Sequence, residues 1–117
     1  MIAVLFEADA LPEAQERYFQ LAAELRPLLS DTPGFISIER FQSLNTPGKI
    51  LSLSWWEDEE SVAGWKQNVM HKAAQKEGKQ SIFSFYRIRI ARVFRDRPPS
   101  VIRSPPPPPL FVPSGAG

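Results

Sequence analysis

Apolar and polar positions along residues 1 to 94 alternate in two periods, and the changes of period mark out the elements. Ile2 to Glu7 is rich in β-formers and reads as a first strand. Pro12 suits the first turn of a helix, where its missing N–H is no loss. Ala14, Tyr18, Leu21, Ala22, Leu25 and Leu28 or Leu29 then recur at helical spacing, which predicts an amphipathic helix packed on one side. Pro27 should kink it or tighten its last turn, and Asp31-Thr32-Pro33-Gly34 supplies the turn that ends it. Phe35 to Phe41 and Ile50 to Trp56 both alternate, and Asn45-Thr46-Pro47-Gly48 between them makes a hairpin. Asp58 is a good N-cap, and Glu59 and Glu60 suit the positive end of a helix dipole. A second helical region follows from Glu59 to about Lys76, with Gly78 as its C-terminal stop. Phe83 to Phe94 alternates again as a last strand.

Strand, helix, strand, strand, helix, strand is the ferredoxin-like βαββαβ order, an α+β fold with both helices on one sheet face. The alternation predicts that Ile36 and Ile38, Leu51, Leu53 and Trp55, and Ile88 and Ile90 meet those helices. Ser37, Glu39, Ser52, Ser54, Trp56, Arg87 and Arg89 would then lie on the other face, with Phe35, Phe41 and Val93 among them. A bare surface rarely carries so many large apolar groups together. A second copy of the sheet packed against this face, giving a homodimer, would explain both the apolar and the polar sets.

Composition adds limits. Apolar residues make up 43% of the 117 and charged residues 23%, which places the chain among globular proteins. The net charge of +1 points to neither nucleic acid nor a membrane surface. No cysteine is present, so disulfides, thiol nucleophiles and zinc–thiolate sites are excluded. The N-terminal residues lack a basic region and a small-residue cleavage site, and no apolar run reaches the ~18 residues of a membrane span; a cytoplasmic location is the expectation. At Pro98 the composition changes. Eight of the twelve prolines fall between Pro98 and Pro113. Residues 1–97 therefore read as the domain, and residues 98–117 as a proline-rich tail, extended or unstructured.

The candidate chemistry lies mainly on the second helical region, in Trp65, Asn68 and His71, with Gln75 one turn beyond His71. On an ideal helix Trp65 and His71 are about 120° apart. They can line one cavity if it is broad or if the helix breaks near Asn68, which Gly64 would ease. Trp65 also fits an ordinary core stripe with Val62, Val69 and Ala73, and His71 fits a surface position. As a functional group His71 would be a general base or a ligand to one iron. Arg87 and Arg89 share a strand face and need anions if covered; Glu39 is the candidate partner, and the alternative role is an anchor for an acidic or phenolate oxygen. With one histidine and no cysteine, a His-rich metal site within one chain cannot be built.

The combination Pro33-Gly34-Phe35, Leu51-Ser52-Leu53-Ser54-Trp55-Trp56 with the acidic residues after it, Trp65 and His71, and Tyr86-Arg87-Ile88-Arg89-Ile90-Ala91 resembles the antibiotic biosynthesis monooxygenase-like family. The resemblance covers about residues 1 to 96 and implies a dimeric α+β barrel of two ferredoxin-like sheets. It also implies cofactor-free oxidation of a phenol or quinol by oxygen, in a pocket between sheet and helices. By this resemblance Trp65 stands for a tryptophan of the family's site, His71 falls near its tyrosine, Asn68 near its asparagine, and Arg87 or Arg89 stands for its arginine. The expected assignment is thus His71, Trp65 and Arg87 as catalytic residues, with Trp55, Asn68 and Arg89 binding a small aromatic substrate. No cofactor is expected. Haem binding or degradation, with His71 as axial ligand, is the alternative, although the first strand offers Glu7 where haem-degrading members carry an asparagine. A non-catalytic dimeric binding domain is the third reading.

Overall fold

The computed structural model describes residues 1–100. Its strands are β1 (Ile2–Ala10), β2 (Phe35–Gln42), β3 (Lys49–Trp56) and β4 (Phe83–Arg92). Its helices are α1 (Gln15–Ser30), α2 (Glu59–Lys66) and α3 (Val69–Glu77). The sheet is antiparallel in the order β2-β3-β1-β4. This is the ferredoxin-like arrangement that the alternation implied. The proline-rich stretch from residue 101 onward lies outside the described residues, and residues 98–100 are exposed and irregular.

Local chemistry explains most of the boundaries. Pro12 opens a 3₁₀ turn, Pro12–Ala14, that leads into α1. Pro27 lies inside α1 without ending it; it withdraws one i→i−4 donor, yet the helix runs on to Ser30. Gly34 has φ of +84°, and a Cβ there would lie 1.7 Å from Ser61 Oγ, so the turn before β2 needs glycine on both counts. Asp58 caps α2 as the sequence predicts, accepting hydrogen bonds from Ser61 N at 2.8 Å and Ser61 Oγ at 2.7 Å. Those bonds hold the Asp58 carboxyl below its usual range.

Three expectations change. The second helical region is two helices, because Asn68 ends one and starts the next. Its Oδ1 accepts from the backbone N–H of Met70 at 2.8 Å and of His71 at 3.1 Å. Gly64 stays within α2. Gly78 does not stop α3: it keeps a right-handed conformation and opens a π-helical turn, Gly78–Ile82, that runs into β4.

The largest change concerns the faces of the sheet. In β3 it is Ile50, Ser52, Ser54 and Trp56 that are buried towards the helices, while Leu51, Leu53 and Trp55 point away. Trp56 is 1% exposed and donates from Nε1 to Ser54 Oγ at 2.9 Å, and Phe35 packs edge-on against it. Phe35 and Trp56 thus belong to the helix side. In β2 the register shifts between Phe35 and Ser37, so Ile36 is an extra residue. Ile38 packs on the core, but Ile36 turns to the far side and is 49% exposed. Ile88 faces the helices as expected.

The core forms two adjoining groups under the helices. Ile2, Leu29, Trp56, Val62 and Trp65 make one, and Ala14, Tyr18, Leu21, Ile50 and Ile82 the other. Arg17 on α1 grips Glu77 on α3 through two hydrogen bonds of 2.6 and 2.9 Å, tying the helices together over the sheet.

Candidate active site

Between the helices and the sheet lies a mainly apolar cavity of about 180 Å³. β1 contributes Val4 and Phe6, and β3 contributes Ser52, Ser54 and Trp56. α1 contributes Tyr18, Leu21 and Leu25. Trp65 comes from α2, and His71, Ala74 and Gln75 come from α3.

The helix break decides the geometry. A continuous helix would hold Trp65 and His71 about 120° apart. Because the chain turns at Gln67–Asn68 and restarts, the two rings face the same space, with centroids 4.7 Å apart and planes inclined by 48°. Trp65 is largely buried and His71 half-buried. Burial, and after it the positive charge of Lys66, pushes the His71 pKa down to about 4. The imidazole is therefore neutral at pH 7, with a lone pair open to a proton.

Gln75, one turn beyond His71, shares this cavity, whereas Asn68, Trp55, Arg87 and Arg89 do not. Asn68 positions His71 through the α3 cap and does not line the space. Trp55 lies on the opposite sheet face, in a shallow cleft with Met1, Ile36, Ser37 and Val93. Arg87 and Arg89 also point to that face. Arg89 pairs with Glu7 at 3.5 Å, and Lys49 approaches the same carboxylate at 3.7 Å. The anion beside these arginines is thus Glu7 on the neighbouring strand rather than Glu39, which sits across the sheet on β2. The reason is the same strand parity: Ile88 faces the cavity, so its neighbours Arg87 and Arg89 cannot.

The cavity carries different cations, Arg26 on α1, Arg40 on β2 and Lys66 on α2. Arg40 had a readable signal. It follows Ile38 by two residues and so shares its core-facing parity, where a charge is out of place. Ser52 and Ser54 had the same kind of signal between Ile50 and Trp56.

A four-stranded ferredoxin-like sheet, with an indole and a neutral imidazole meeting in an apolar cavity under its helices, defines the class: an α+β domain with its candidate site between sheet and helices. The chain belongs to the antibiotic biosynthesis monooxygenase family, whose sequence pattern matches residues 1–77. It is similar to the jasmonate monooxygenase ABM of Pyricularia oryzae, with 40% identity over 93 residues; these are 80% of this chain but 43% of that protein. It is 27% identical to the uncharacterised protein YqjZ of Bacillus subtilis over 81% of each chain. Among solved structures, a Deinococcus radiodurans protein carrying the family's name superposes with a TM-score of 0.76 at 14% identity, over 86% of this chain and all of that one. A conserved protein of Methanosarcina mazei Go1 gives 0.71 at 22% identity, over 78% and 90%. Among the described residues no helix is long and apolar enough to cross a membrane.

Proposed function

We propose that the chain is a monooxygenase that oxidises a small aromatic phenol or quinol in this cavity, with molecular oxygen as oxidant and the substrate as the source of electrons. The observation that carries the reading is the common wall of Trp65 and neutral His71. An apolar cavity of about 150 Å³ holds a benzene ring, so a space of about 180 Å³ suits a one-ring body. Trp56 and Trp65 would pack that ring and exclude water.

His71 takes the phenol proton. Imidazolium and phenolate then form together, and each stabilises the other, which offsets the low basicity of the free site. Lys66, close enough to depress the His71 pKa, favours the phenolate. The stabilising role first expected of Arg87 or Arg89 falls to this lysine. The electron-rich ring carbon next bonds to one end of O₂, and the O–O bond breaks. One oxygen atom stays on the ring as a carbonyl, and the other leaves as water with two hydrogens of the substrate. A phenol becomes a quinone, and no external reductant or cofactor enters the balance.

Haem suits the geometry less well. The imidazole that would serve as axial ligand already packs on Trp65, which favours the smaller aromatic ligand over a porphyrin. We also propose a homodimer, in which a second copy covers the sheet face that bears Leu51, Leu53 and Trp55.

Oxygen uptake with a panel of one-ring phenols and hydroquinones tests the reading. His71→Ala should cut the rate by roughly 100-fold or more with the fold intact. Trp65→Ala should weaken binding and cost about 3–5 kcal/mol of stability. Full activity in folded His71→Ala would contradict the assignment.

A further inference from the structure

We infer that the cavity selects substrates carrying a carboxylate, and that Arg40 is the residue that recognises it. This rests on the cavity being the substrate site, as proposed above, and adds the class of acceptable ligand.

The first observation is charge asymmetry. Three cations from three different elements, Arg26, Arg40 and Lys66, line a space whose other walls are mainly apolar, and among the described residues no Asp or Glu lines it. The whole chain is nearly neutral, at +1, so the imbalance belongs to the cavity rather than to the composition. The second observation is specific to Arg40. Its Nε is shielded from solvent and has no hydrogen-bond partner among the described residues. A guanidinium N–H left unpaired away from water is costly. A ligand that brings an acceptor into the cavity would complete it. The third is position. Arg40 lies opposite Ser52 in the sheet, on the face that looks into the cavity, so its donors belong to a rigid strand rather than to a loop.

A guanidinium offers parallel N–H donors that match the two oxygens of a carboxylate. Arg26, more exposed on α1, adds charge at the same wall system and steers anions inward. Lys66 stays with His71 and the reacting hydroxyl. The ligand is then a one-ring body with its reactive oxygen near His71 and an acid group on Arg40. A neutral amide in the same place would offer Arg40 one carbonyl acceptor, without the second oxygen and without the charge.

Isothermal titration of the full chain under anaerobic conditions tests this without turnover, using 3-(4-hydroxyphenyl)propanoate and the corresponding propanamide. Both carry the same phenol, so only the acid group differs. The acid should bind at least tenfold more tightly than the amide. Arg40→Met should abolish that preference while leaving the amide affinity within about twofold, and should raise the melting temperature of the ligand-free protein by removing a shielded N–H that has no partner among the described residues. Arg40→Lys should keep part of the preference, having charge without the fork. Equal binding of acid and amide, binding of neither, or an unchanged preference in Arg40→Met would overturn the inference. Selective binding of the acid without oxygen uptake would overturn only the oxidation chemistry. Uptake with neutral phenols and no preference for acids would overturn only the role of Arg40.

Discussion

His71 and Arg40 make opposite demands on the same cavity. Burial makes the histidine neutral and so able to take a proton, whereas the arginine remains charged wherever it is placed. The histidine leaves a signature in pH. Its folded pKa of about 4 lies below the unfolded value near 6.5. As pH falls through that window the unfolded chain takes up the proton first, so the stability contributed by neutral His71 is present above about 6.5 and is lost towards 4. Nuclear magnetic resonance titration of the imidazole should show a midpoint near 4, with the melting temperature falling over the same range and the fall missing in His71→Ala. A midpoint near 6.5 would mean a solvated ring and would remove the basis for the catalytic role. The arginines teach a separate lesson. Arg87 and Arg89 were conspicuous because two charges alternate with isoleucines, yet the isoleucines hold the cavity side and the arginines meet Glu7 on the other. The informative charge was the single Arg40 at an apolar parity.

At the scale of elements, the short joint at Gln67–Asn68 matters most. It converts two residues from different sides of one ideal helix into neighbours across 4.7 Å. Asn68 serves this by capping, so Asn68→Ala should destabilise the protein by about 1 kcal/mol. Hydrogen exchange should rise first at the amides of Met70 and His71, which lose their acceptor. An exchange pattern unchanged at those two amides would show that the cap does not hold α3. Element order, the hairpin, the cap at Asp58 and the turn at Gly34 were legible because each depends on local chemistry. The parity of β3 was not. Leu51, Leu53 and Trp55 form the more apolar set, but Ile50 and Trp56 with two serines are the buried one, since the serines border a cavity and need no large side chain. The bulge at Ile36 was equally hidden: an extra residue on β2 is visible only against the register of β3.

For the whole molecule, strand parity fails as a guide when both sheet faces are apolar, and that failure is itself informative. Leu5, Leu51, Leu53 and Trp55 on the side away from the helices are only partly covered, and Phe41 is 42% exposed there. A homodimer through this face is the expected state, and sedimentation at micromolar concentration should give twice the chain mass; a folded monomer at that concentration would contradict it. The apolar composition of the face is what raises that expectation, although Phe35 and Trp56 belong to the interior and Leu51, Leu53 and Trp55 take their place. The cavity was less readable, because its walls come from all four strands and all three helices, and Arg87 and Arg89, the cations expected to serve it, face away. The central claim is oxygen insertion driven by the substrate's own electrons within that cavity. Turnover of an accepted one-ring phenol under ¹⁸O₂, with no added reductant, metal or flavin, tests it most directly. The account predicts one ¹⁸O atom in the quinone product and one in water, with no incorporation in His71→Ala. Product formed without ¹⁸O, or only when an external reductant is supplied, would contradict it.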